Sequence, residues 1–341
     1  MIKVAMLSFW HVHAKDYAKQ ANEHPDTEIV ALWDEIPERG KKEAADRGVR
    51  FYDSLDELLA QPDIDGVIVD TPTNLHREVM VAAAKAGKHI FTEKVVATTL
   101  KECNEILAAV EAAGVKLTVS LPRLNADYTL AVQDIVQQGL LGEVTLVRTR
   151  LSHNGAVPSE RGANGWLPAH FYNLEQCGGG ALIDLGCHPM YLARLFLGGL
   201  PERVTANYGY VTGREVEDNA VAVLSYANGA LAVVEAGFVN RFSPFVVEVH
   251  GTEGSVLYST HDNKLLVRSS KLGEEAMKEW QVHSELPAAK PSAFEQWVSH
   301  IQNGTTATEN IQLALDLTRL MEASNRSAQS GAAFSLSDLA E

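Results

Sequence analysis

Along residues 2–120, short apolar runs alternate with stretches in which apolar positions recur every three to four residues. The runs at 3–7, 28–33, 66–69, 89–91 and 116–120 predict strands of a parallel sheet buried on both faces and joined by crossover helices. Ser54 with Glu57 and Thr99 with Glu102 stand at capping-box spacing, and Gly87 and Gly114 stand where helices should stop. From about residue 142 the texture changes to longer β-rich runs at 143–151, 203–211, 219–226, 230–240 and 245–249. With turn signals such as Asn228-Gly229, these predict antiparallel strands of one large sheet. A helical stretch at 181–197 interrupts them, and two more follow at 292–303 and 309–330. The expected fold class is α/β: an N-terminal doubly wound parallel sheet over residues 1–122, then a C-terminal α+β domain over residues 123–341 with a large, mostly antiparallel sheet. The loop 153–165, rich in Gly, Asn and Ser, reads as a mobile lid.

Composition narrows the class. A chain of 341 residues with 46% hydrophobic residues can bury a substantial core without metal or disulfide, and its length suits two domains. Its formal charge of −15 repels phosphate polymers and anionic lipid, so nucleic acid and membrane surfaces are not expected partners. Cys103, Cys177 and Cys187 are widely spaced in apolar surroundings, which fits a reducing compartment better than a disulfide framework. The N-terminus runs straight into a strand pattern and no apolar run reaches 18 residues; the expected location is cytoplasmic.

An open parallel sheet binds its ligand at the carboxyl ends of its strands, where strand order reverses. After the first strand comes Ser8-Phe9-Trp10-His11-Val12-His13, where a dinucleotide fingerprint would carry three glycines and this chain carries none. Asp34 ends the second strand, placed to accept the two hydroxyls of an adenosine ribose. Further on stand Thr71-Pro72-Thr73-Asn74-Leu75-His76, Ala86-Gly87-Lys88-His89, Glu93-Lys94, Gln138-Gly139-Leu140-Leu141-Gly142-Glu143-Val144, and Gly178-Gly179-Gly180-Ala181-Leu182-Ile183-Asp184-Leu185-Gly186-Cys187-His188.

In this order and spacing, over nearly the whole chain, the sequence resembles the Gfo/Idh/MocA family of nicotinamide-dependent sugar and polyol dehydrogenases, named for glucose–fructose oxidoreductase and inositol dehydrogenase. The resemblance implies a Rossmann domain carrying NAD and an α+β domain covering the substrate. It matches the family's Glu-Lys-Pro motif to Glu93-Lys94, with Val95 in place of proline, and its Asp-x-x-x-His pair to Asp184 and His188, which at i and i+4 would share one helix face. Removing hydride from a carbinol carbon requires a base within hydrogen-bond reach of the hydroxyl. His188 suits that role, with Asp184 holding its tautomer and Lys94 donating to the same oxygen, so Lys94, Asp184 and His188 form the expected catalytic unit. Ser8, Trp10, His11, His13, Asp34, Thr71, Pro72, Glu93 and Lys94 form the expected cofactor set. His76 reads as structural and Arg123 as a domain-closing ion pair.

The glycine-less loop leaves three readings open. The pyrophosphate rests on the following helix N-terminus with His11 or His13 as donor; or it binds displaced, with Trp10 packed on its ribose or nicotinamide; or His11, His13 and Asp70 hold a divalent ion, although no metal is expected. Asp34 and Glu35 place two carboxylates where a 2′-phosphate would sit, which favours NAD over NADP. The expected activity is hydride transfer between NAD(H) and a hydroxyl-bearing carbon of a sugar, polyol or cyclitol. The alternatives are a redox-neutral sugar-modifying enzyme with retained NAD, which eliminates or epimerises through transient oxidation, and a non-catalytic dinucleotide-sensing regulator. A homodimer or homotetramer is expected from the resemblance.

Overall fold

The computed structural model describes residues 1–160 and 162–340. Contacts divide the chain into two compact units, one of Met1–Leu121 with Pro291–Thr318, the other of Pro122–Lys290 with Arg319–Ala340.

In the first unit the order is β1 (Ile2–Leu7), α1 (Ala14–Glu23), β2 (Thr27–Trp33), α2 (Pro37–Arg47), β3 (Arg50–Phe51), α3 (Leu55–Leu59), β4 (Gly66–Val69), α4 (His76–Lys85), β5 (His89–Thr92), α5 (Leu100–Ala113) and β6 (Leu117–Val119). The six strands are parallel in the order β3-β2-β1-β4-β5-β6, so strand order reverses between β1 and β4. Val67, Ile68 and Val69 are buried without alternation, as a strand covered on both faces demands. The Ser54 and Thr99 side chains cap α3 and α5 by accepting from the Glu57 and Glu102 amides. The two-residue β3 is too short to leave an apolar run and has no counterpart among the strands expected from sequence.

Assignment of everything after residue 122 to a C-terminal domain needs correction. The helix α11 (Ala293–Asn303) supplies Phe294, Trp297 and Val298 to a core built from Val4, Met6, Leu32, Ile68 and Phe91 of the parallel sheet and from the small-residue face of α1. Gly66 makes room for it: a Cβ there would stand 3.0 Å from the Trp297 ring. Helical periodicity announced α11 but carries no information about which sheet the helix covers.

The second unit contains α6 (Asp127–Gln137), β7 (Val144–Ser152), α7 (Leu174–Cys177), α8 (Ala181–Asp184), α9 (Cys187–Leu197), β8 (Arg203–Gly209), β9 (Asn219–Ser225), β10 (Leu231–Gly237), β11 (Val246–Gly251), β12 (Gly254–Ser259), β13 (Lys264–Ser269), α10 (Glu274–Lys278), β14 (Gln281–Val282) and β15 (Phe334–Ser335). They form a nine-stranded sheet, β14-β13-β12-β11-β7-β10-β9-β8-β15, antiparallel except where β7 meets β10. The pair β12 and β13 extends the expected set, each burying alternate residues such as Val256 and Tyr258, and Leu265 and Val267. One face is covered by α9, where the Thr149 hydroxyl of β7 donates to the Pro189 carbonyl at 3.0 Å. The helix α12 (Thr308–Ser330) divides between the units after Thr318. Among the described residues no helix is long and apolar enough to cross a membrane.

The loop expected to be a mobile lid is tied down along its first part. His153 stacks on Phe238 with ring centroids 5.2 Å apart, and the buried Ala156 donates its amide to the Phe238 carbonyl at 2.9 Å. Residue 161 of this loop lies outside the described residues.

Candidate functional site

The first unit gathers its polar residues at the carboxyl ends of β1, β2, β4 and β5. After Leu7 the chain turns at Ser8 with φ of 79°, a left-handed backbone that usually requires glycine. Serine thus makes the turn that the first fingerprint glycine would make. Its Oγ accepts from the Trp10 amide at 3.0 Å and from Arg39 at 3.1 Å. Trp10 is buried, only 5% exposed. His11 is buried and its amide donates to the Asp70 carbonyl at 3.1 Å, linking the loops that follow β1 and β4. The side chain of His13, by contrast, is 50% exposed and pairs with Asp16 at 3.1 Å, so it stands outside the buried cluster.

Asp34 follows β2 and is fully engaged by protein donors. Its Oδ2 accepts from the Phe9 amide at 3.0 Å and Arg39 Nε at 2.8 Å; its Oδ1 accepts from the Ile36 amide at 2.8 Å and an Arg39 terminal nitrogen at 2.7 Å. A carboxylate has about four acceptor sites, and this one uses all of them to tie the β1 loop to α2. Arg39 also reaches Glu35 at 2.6 Å.

Asp70 follows β4 and is completely buried, with no hydrogen-bond donor to either carboxyl oxygen among the described residues. Burial first, and then the charge of Glu93, push its carboxyl well above the usual carboxylate range. Glu93 follows β5 and takes a hydrogen bond from the Tyr17 hydroxyl, which also meets Ser120 Oγ at 2.7 Å. Burial and Glu93 hold the Tyr17 phenol well above its ordinary value, so it remains a donor. Lys94 has a side chain only 4% exposed, with Nζ 3.8 Å from Glu93 Oε1. One nitrogen of His11 and one oxygen each of Asp70 and Glu93 lie within 4.8 Å of one another. The structure therefore puts Glu93, and not His13, with His11 and Asp70.

Thr71 is also buried, and Pro72 initiates the turn leading to α4. At the start of that helix His76 lies 3.0 Å from the Val95 carbonyl through Nδ1 and 3.2 Å from the Thr71 carbonyl through Nε2. Burial pushes its pKa down, and a neutral ring donates from one nitrogen only. His76 thus braces the loops after β4 and β5, including the one that carries Lys94.

In the second unit, Asp184 ends α8 and His188 is the second residue of α9. The single helix expected over 181–197 is two segments, because Pro189 has no N–H to give the Leu185 carbonyl, which is met instead by the His188 amide at 3.2 Å. His188 Nδ1 lies 3.3 Å from the Tyr191 hydroxyl, which accepts from the Arg123 amide at 3.0 Å. The Arg123 guanidinium stacks 4.0 Å over the Phe245 ring and donates to the Tyr128 hydroxyl at 3.0 Å, both within the second unit.

The triple-glycine segment before α8 rests on a buried carboxylate. Glu217 accepts from the Gly180 amide at 2.8 Å and the Leu182 amide at 2.9 Å, while its own carbonyl accepts from Ala181 at 2.9 Å. A Cβ on Gly180 would come 2.1 Å from that carbonyl, so only glycine permits the approach. Burial raises the Glu217 pKa to about 7. Glu217, Tyr191, Arg39 and Tyr17 are not among the residues that sequence reasoning singles out for the site. Tyr17 alone left a signal, as the one polar tip on the buried face Ala14, Tyr17, Ala18, Ala21 of α1.

Residues 4–121 match the family model for oxidoreductases with an NAD-binding Rossmann fold, and residues 129–257 match the GFO/IDH/MocA C-terminal domain. The chain is 30% identical over 275 residues to the 1,5-anhydro-D-fructose reductase of Ensifer adhaerens, an alignment covering 79% of this chain and 78% of that one. It is 28% identical over 253 residues, 71% of each chain, to the inositol 2-dehydrogenase of Rhizobium meliloti. A levoglucosan dehydrogenase solved with NADH and levoglucosan shares the fold, with TM-score 0.81 at 21% identity over 98% of this chain and 99% of that one.

Proposed function

The chain belongs to the GFO/IDH/MocA family of NAD-binding oxidoreductases, and from that premise we propose that it transfers hydride between NAD(H) and a hydroxyl-bearing carbon of a sugar, polyol or cyclitol. The observation that carries this reading is Lys94, a buried lysine held beside Glu93 at the carboxyl end of β5 in the NAD-binding unit. A buried ammonium is costly unless it is paired, and this one is kept at the ligand-binding end of the parallel sheet. The relatives' names, a reductase of an anhydro sugar and a dehydrogenase of a cyclitol, support a cyclic polyhydroxylated substrate.

The residues present fit a dinucleotide. The left-handed turn at Ser8 gives the β1 loop its fingerprint shape without glycine, the N-terminus of α1 follows, and a carboxylate ends β2. When bound, the nicotinamide accepts or returns the hydride. Ribose hydroxyls reach Asp34 only after the Arg39 guanidinium leaves it, because its acceptor sites are filled. In the proposed catalytic unit Lys94 donates to the substrate oxygen, stabilising negative charge as the proton departs. His188 takes that proton. Its Nδ1 lies 3.3 Å from the Tyr191 hydroxyl, and the base role requires the tautomer that carries the ring proton on that side, with the lone pair on Nε2. Asp184 is assigned the companion role of orienting His188 and stabilising its charged form.

The test is NAD reduction at 340 nm across a panel of cyclitols, anhydro sugars and aldoses, with Lys94→Ala and His188→Ala as controls. Turnover of at least one member, abolished in both variants, supports the reading; turnover undiminished in Lys94→Ala overturns it. Neither the redox-neutral nor the regulatory alternative is favoured by the relatives.

A further inference from the structure

We propose that His11, Asp70 and Glu93 form a binding site for one divalent first-row transition ion of the zinc or manganese type. One imidazole nitrogen and two carboxylate oxygens lie within 4.8 Å of one another. Ligands about 2.1 Å from a common ion stand roughly 3–4 Å apart, so a contraction of about an ångström brings all three into coordination. Nitrogen with two carboxylates is a donor set that suits Zn²⁺ and Mn²⁺, whereas Mg²⁺ and Ca²⁺ prefer oxygen throughout.

Charge and hydrogen bonding argue the same way. Glu93 is supported by the Tyr17 hydroxyl and by the Lys94 ammonium at 3.8 Å. Asp70, wholly buried beside it, has no donor on either oxygen among the described residues, an arrangement that is costly in a folded protein unless something fills it. The frame that would hold an ion is already built. The His11 amide is tied to the Asp70 carbonyl, and Asp70 and Glu93 each directly follow a strand of one rigid sheet, β4 and β5. Glu93 is oriented by Tyr17, as metal-ligating carboxylates commonly are by a neighbouring donor. His11 Nδ1 accepts from the His13 amide at 3.3 Å, a contact long for a hydrogen bond that coordination through that nitrogen would replace.

This inference goes beyond the proposed redox activity, and its test contains no dinucleotide, so the two stand or fall separately. The full chain is stripped with EDTA, reloaded with Zn²⁺ or Mn²⁺, dialysed and analysed for metal content, and its melting temperature is recorded with and without each ion. The expected result is about one ion per chain and a rise in melting temperature, with affinity falling by at least about a hundredfold in Asp70→Asn and Asp70→Ser, more than loss of a supporting partner costs. Folding of the variants is not in the way. Removing an unpartnered buried carboxylate should leave metal-free Asp70→Ser melting at or above the metal-free parent, while the added ion raises only the parent. Binding of neither ion at saturating concentration overturns the proposal, as does an equal thermal shift in parent and Asp70→Ser.

Discussion

Glu217 links protonation to the segment that carries Asp184 and His188. It is buried, it accepts from the Gly180 and Leu182 amides, and burial lifts its pKa from 4.5 to about 7. Between those values the folded chain keeps a proton that the unfolded chain has released. Stability from this group is therefore fully present below about pH 4.5 and is lost as pH rises through about 7. Each pH unit between the two values is worth about 1.4 kcal/mol, so the carboxyl alone makes the protein roughly 2–3 kcal/mol less stable at pH 8 than at pH 5. Glu217→Gln removes this dependence. It also turns an NH₂ toward one of the two amides, leaving a buried donor unmet at a cost of about 1–3 kcal/mol. The stability deficit of Glu217→Gln relative to the parent should thus shrink by roughly 2–3 kcal/mol from pH 5 to pH 8. Urea unfolding of both proteins at the two pH values measures it, because other titrating groups cancel in the difference. Hydrogen exchange of the peptide 178–188 should follow the same trend locally. A deficit equal at both pH values would show a carboxylate held ionised throughout by its two amide donors, and the reasoning from burial would fail.

If Lys94 and His188 serve one proton transfer, each alanine substitution should lower kcat by about 10²–10⁴ and the pair by little more; losses that multiply in steady-state assays would refute a shared unit. The parent should bind NAD at least about tenfold more tightly than NADP, and Arg39→Ala should widen that ratio by freeing Asp34 and removing a cation. An unchanged ratio in binding titrations would show that neither residue meets the ribose. Ser8→Ala should melt lower than Ser8→Gly, by about 1 kcal/mol of stability, because both lose the Oγ bonds while only alanine keeps the strain of a positive φ. Equal stability would show the turn relaxing.

Much of the architecture was legible in the order of residues. Continuous apolar runs such as 66–69 mark strands covered on both faces, and the caps at Ser54 and Thr99 act locally, through neighbours three residues away. The positions of Asp34, Glu93-Lys94 and the glycine-rich segment before Asp184 were visible because each follows or precedes an element whose own pattern is strong. Pairings across the fold were not visible. Periodicity says which face of an element is buried and leaves open what covers it. The strand order alone brings the ends of β1, β4 and β5 side by side, and with them His11, Asp70 and Glu93, while the turn before α1 carries His13 outward to Asp16. Likewise only the tertiary structure sends Arg39 onto Asp34, returns α11 to the parallel sheet, and seats the Gly180 turn on Glu217. Local sequence can set a backbone conformation because its partners are a few bonds away; which distant carboxylate meets which donor is decided when the sheet closes its neighbours together.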